Sequence, residues 1–140
     1  MKTATTALLI LLLSLSYQNL NAQRLAVNET TVSINKMIQT VETIKAELQR
    51  CDTEMCEIIL RNAGARQSYL TRALQAFEAK QTDLGLKYVS ETKRIVESDV
   101  DRLSSARLDN RMNLVFRYEQ DLFNQIEQFQ TKMSSQRIEY

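Results

Sequence analysis

Cys51 and Cys56 are the only cysteines in this 140-residue chain, and no histidine accompanies them. Two thiols at that spacing can oxidise to a disulfide, stay free, or bind a metal. Two cysteines without a histidine make a poor zinc set. Free thiols suit a reducing cytosol, whereas a disulfide suits an exported protein. On one continuous α-helix the two Cα atoms would stand roughly 8–9 Å apart, and a disulfide tolerates about 7 Å at most. A Cys51–Cys56 bond therefore requires the helix to break between them. Asp52 and Thr53 are good N-cap residues at that point. Glu54 and Glu57 then fall in the next first turn, where acids favour the positive helix end. The stretch reads as a stapled corner between two antiparallel helices.

Other chemistry is sparse. Without histidine there is no Ser-His-Asp or Cys-His site, and the usual general base and metal ligand is missing. Di-iron bundles built on Glu-x-x-His are excluded, as is a Cys-x-x-Cys-His haem attachment. Gly64 and Gly85 stand too far apart to form a phosphate loop. Paired carboxylates can act alone, as in glycosidases, but the acids here are interspersed with lysines and arginines. The sequence predicts no enzyme, no cofactor and no bound metal.

One polar constellation stands out. Asn62 and Arg66 interrupt the apolar stripe of a second helix, and Thr92 and Asp99 interrupt that of a third. With a turn at about residue 81, Arg66 lies 15 positions before it and Asp99 18 after it. At about 1.5 Å per residue the two come within about one turn of each other. Arg66 and Asp99 can form a semi-buried ion pair that sets helix register. The alternative is that both reach solvent along the stripe edge by snorkelling.

The elements that carry these residues follow from composition and period. The chain has no proline and two glycines, so helix predominates. Ile34, Met37, Ile38, Val41, Ile44 and Leu48 recur every three or four residues, predicting a helix over 30–50. Met55, Ile58, Ile59, Ala63, Leu70, Ala73 and Phe77 keep one phase through Gly64, predicting a second over 53–79. A third, over 83–105, carries Leu84, Tyr88, Val89, Ile95, Val96, Val100 and Leu103, with Thr82 or Asp83 as its cap. The fourth, over 109–134, has a broad stripe containing Met112, Val115, Leu122 and Ile126, with Asp109 or Asn110 as its cap. Its phase opposes that of the third helix, which implies a kink or loop between Ser104 and Arg111; one long twisting helix is the alternative. Residues after Ser134 read as a frayed tail. The fold class is all-α: an antiparallel up-down-up-down four-helix bundle with coiled-coil-like packing.

The N-terminus reads as an export signal. Lys2 gives a short positive region, Ala7 to Leu15 an apolar run, and Ser16 to Ala22 a polar stretch ending in a small residue. The run falls short of the roughly 20 residues of a membrane span. Cleavage after Ala22 divides the chain into a signal peptide, 1–22, and a single helical domain, 23–140. An uncleaved signal-anchor is the alternative. The domain keeps 17 basic and 17 acidic residues once Lys2 is removed. That balance argues against nucleic acid or an anionic membrane as partner. The implied location is secreted or periplasmic. Asn28-Glu29-Thr30 is a glycosylation sequon, though Asn28 or Thr30 can equally cap the first helix.

Three functions fit these features. The first is an exported interaction or structural protein that binds a protein partner or itself. The second is a carrier of an apolar small molecule, held near Phe116, Phe123, Phe129 and Met133; the same residues can instead be core or a partner face. The third is a periplasmic chaperone or stress factor.

Overall fold

A computed structural model describes residues 29–138, and among these every regular element is a helix. The 1–22 segment and Asn28 lie outside the described residues. Helix α1 runs over 29–48, α2 over Glu54–Glu78, α3 over Thr82–Ser104 and α4 over Asn110–Ile138. The four form an antiparallel bundle.

Each border has a local cause. Thr53 caps α2 from an extended backbone, its hydroxyl accepting the Cys56 N–H at 3.3 Å. At the other end of α2, Lys80 adopts the left-handed conformation, φ 61°. Its N–H bonds Phe77 O, and the Gln81 N–H reaches back to Ala76 O at 2.8 Å. This is a Schellman turn formed without the usual glycine. Neither Thr82 nor Asp83 caps α3: the helix starts one residue earlier, behind Gln81, which gives no side-chain cap. Asp109 caps α4, its carboxylate accepting the Met112 N–H at 2.8 Å. Helices α3 and α4 are therefore separate, joined through a short loop. The expected frayed tail after Ser134 is instead helical to Ile138.

Side-chain bonds fix the neighbours. Gln67 of α2 bridges Lys45 and Glu42 of α1. Lys93 of α3 pairs with Glu127 of α4 at 2.8 Å, and Gln130 donates to Ser90. Gln125 and Lys132 of α4 reach Thr40 and Glu29 of α1. Helices α2 and α3 pack along their length, while the backbones of α2 and α4 do not approach. The helices thus stand at the corners of a square in chain order, with α2 and α4 on a diagonal.

The core is the apolar stripes turned inwards: Ile34, Met37, Val41 and Ile44 from α1, Ile59, Ala63 and Leu70 from α2, Val89 and Val96 from α3, and Val115, Leu122 and Ile126 from α4. Leu84, expected in the α3 stripe, is 39% exposed. Gly85 takes the inward position beside it, because the Phe77 ring already fills that space. No helix among the described residues is long and apolar enough to cross a membrane.

Candidate functional site

The inward stripes of three helices each carry an ionisable residue at mid-length. Arg66 occupies the α2 stripe between Ala63 and Leu70, Asp99 the α3 stripe between Val96 and Leu103, and Glu119 the α4 stripe between Val115 and Leu122. Helical spacing of three and four residues leaves these side chains no route but inwards. All three are 0% exposed.

Arg66 crosses the diagonal to Glu119. Its Nη2 donates to Glu119 Oε1 at 2.7 Å, and its Nη1 donates to Oε2. The contact is bidentate, the geometry in which a guanidinium binds a carboxylate best. Asp99 stands to one side, Oδ2 lying 3.6 Å from Arg66 Nη1. Asn62 Nδ2 donates to Asp99 Oδ1 at 2.7 Å. Arg66 Nε and Asp99 Oδ2 make no hydrogen bond. Thr92, also buried, donates its hydroxyl to Tyr88 O one turn back and takes no part.

The electrostatics follow from burial. Loss of solvent pushes the Asp99 carboxyl up from its ordinary value, against the opposing pull of Asn62, Arg66 and Arg102. The same loss pushes Glu119 up, opposed by its bonds to Arg66 and assisted by the nearby Asp99 charge. The cluster links three helices through one guanidinium. The three side chains are wholly enclosed by the bundle. Among the described residues no group of three or more Cys, Asp or Glu is placed to hold a metal ion.

Arg66 and Asp99 were legible as a pair across the α2–α3 hairpin. Glu119 was not, although it is the stronger partner of Arg66. Its signal was its place in the α4 stripe, at the i+4 position after Val115 and i−3 before Leu122.

At the far end of α1 and α2, Cys51 and Cys56 are joined in a disulfide, with Cα atoms 6.0 Å apart. The Cys56 sulfur is buried, accepts a hydrogen bond from the Thr53 hydroxyl at 3.0 Å, and touches Met112 Sδ at 3.4 Å. Arg111 Nη1 donates to Arg50 O at 2.6 Å. These contacts fasten the start of α4 to the α1–α2 corner.

The apolar residues of α4 are part of the core. Phe129 stacks edge-on against Phe77, ring centroids 5.8 Å apart. Phe116, Phe123 and Met133 are half-buried against the same core. Lys93 Nζ lies 5.6 Å above the Phe123 ring. A niche beside Phe129 and Met133 holds about 10 Å³, room for about one water. On the outer face of α2, Gly64, Ser68 and Thr71 leave a shallow polar depression open to solvent.

Comparison with protein families, with curated proteins and with solved structures finds no match to this chain.

Proposed function

We propose that this chain is a small exported bundle that works by interaction and not by catalysis, binding a protein partner or a second copy of itself through the outside of its helices. What supports this reading is how the inward-facing side chains are used. Arg66, Asp99 and Glu119 are paired with one another and reach no solvent. Phe129 is seated on Phe77, and the space beside it is about one water in size. An apolar cargo would have to displace core side chains to enter, which weakens the carrier reading. Recognition is left to the outer surface. Val32, 67% exposed on α1, and Leu84 on α3 are large apolar side chains at the same end of the bundle. A secreted or periplasmic location accords with the Cys51–Cys56 disulfide.

Native mass spectrometry of the oxidised protein tests the proposal. The expected result is a homo-oligomer or a stoichiometric protein complex, weakened by Val32→Asp or Leu84→Asp. A monomer carrying one apolar small molecule per chain would overturn it in favour of the carrier.

A further inference from the structure

We propose that Asp99 and Glu119 share a single proton inside the folded bundle, making the buried cluster a lock that is closed in acid and loosens as pH rises above the ordinary carboxylate range. This does not depend on the interaction role proposed above.

Arg66 carries one positive charge at any pH a protein meets. Asp99 and Glu119, both ionised, would carry two negative charges. All three are fully buried, so the core would hold an uncompensated negative charge, which a dry interior strongly disfavours. Among the described residues no second cation is buried with the cluster. From α2 come Arg66 and the uncharged Asn62; the half-buried Lys45 of α1 is bonded to Gln67 beside them. From α1, the buried residues are all apolar. From α3, Arg102 acts on Asp99 only at a distance, being itself exposed. Lys93 of α3 is taken by Glu127 and the face of Phe123. From α4, Glu119 is flanked in sequence by the half-buried Tyr118. Tyr88 of α3 lies against Tyr69.

Geometry then indicates where the proton rests. Glu119 spends both oxygens on the guanidinium, the contact of an ionised carboxylate. Asp99 has one oxygen on Asn62, and the other, Oδ2, lies 3.6 Å from Arg66 Nη1, beyond hydrogen-bond distance. Oδ2 is the open position. Asp99 carries the proton most of the time, and Glu119 shares in it because the two carboxyls titrate together. Burial pushes both carboxyls up, consistent with this arrangement. The sign follows: a group whose value is raised on folding contributes stability that is full below the ordinary carboxylate range and lost as pH climbs through the raised value.

The decisive measurement is proton release on unfolding. Urea-unfolding of the oxidised protein in weakly buffered solution, repeated from about pH 4 upward, is expected to release up to one proton per chain above the ordinary carboxylate range, since an unfolded carboxyl is ionised there and the buried one is not. Carboxyl 13C NMR of the folded protein is expected to show one buried group titrating well above the other acids. Asp99→Asn abolishes both signals and flattens the fall of stability with pH. Where Asp99→Asn does not fold, Glu119→Gln serves as the second variant, and the wild-type measurements decide alone. No proton released from the wild type, with both buried carboxyls ionised at ordinary values, would overturn the proposal.

Discussion

Arg66 meets Glu119 across the diagonal of the bundle, both its Nη groups donating to the two oxygens of one carboxylate. The backbones of α2 and α4 do not touch, so the contact depends on the length of the arginine stem. It binds together two helices that are not neighbours. An apolar residue at position 66 would pack, but it would not select one rotation of α4 over another. The buried polar cluster thus ties α2, α3 and α4 together through one guanidinium.

Arg66→Met tests its cost. The variant leaves the ionised Glu119 in the core without its counter-ion, beside a protonated Asp99, and removing one partner of a buried pair costs about 3–5 kcal/mol. The loss is expected in full at neutral pH. It shrinks in acid, where protonation neutralises Glu119 as well. Urea denaturation at both pH values reads the difference. Combining Arg66→Met with Asp99→Leu and Glu119→Leu is expected to recover most of the stability, because an apolar core has no charge to solvate. A single variant that loses less than about 1 kcal/mol at neutral pH would show that the cluster is not holding the fold.

How far the sequence could reveal this depends on sequence distance. Periodicity alone located the four stripes, because each helix buries residues three and four apart. Counting outward from the turn near residue 81 brought Arg66 and Asp99 together, since a hairpin relates positions on either side of its bend. Glu119 lies beyond a second turn and on a diagonal, where no such count applies. Reading α4 for its apolar members also hid the acid that keeps their phase. The end of α2 was read to within one residue, but not the turn that makes it: Lys80 holds a left-handed conformation that normally announces itself by glycine. Leu84 misled because the ring of Phe77, an intruder from another helix, fills the inward place and leaves room only for Gly85.

The two glycines are expected to respond oppositely to alanine. A Cβ at Gly64 meets nothing within 4 Å. Gly64→Ala therefore gains helix propensity without a clash and should stabilise by about 0.5–1 kcal/mol. A Cβ at Gly85 would stand 2.7 Å from Phe77 Cζ. Gly85→Ala should destabilise by about 1–3 kcal/mol despite the same propensity gain, as overpacked cores do. Phe77→Leu should relieve part of that penalty. Thermal midpoints of the single and double variants give the coupling; the same sign at both glycines would contradict the packing described here.

Lys80 offers a separate gain. Its φ of 61° places a Cβ against the following carbonyl, a cost of about 1–2 kcal/mol that glycine avoids. Lys80→Gly keeps the two turn hydrogen bonds from positions 80 and 81 and should stabilise by about 0.5–1 kcal/mol after the extra entropy of the unfolded chain is counted. Denaturant midpoints for Lys80→Gly and the control Lys80→Ala separate backbone relief from loss of the side-chain charge.

The disulfide closes a short loop, its ends five residues apart in sequence, so its effect on the unfolded chain is modest. Chain entropy assigns it about 2 kcal/mol. Reduction by a thiol reagent should therefore lower stability by about that amount and leave helical circular dichroism nearly unchanged, because the core lies along the helices and not at the corner. Cys51→Ala with Cys56→Ala should cost somewhat more. It also removes a buried sulfur that fills space against Met112 and accepts from Thr53. Hydrogen exchange should locate the damage at the start of α2 and the start of α4 together, since Met112 and Arg111 are what join them to the corner. Faster exchange at α2 alone would mean that the corner and α4 are held independently.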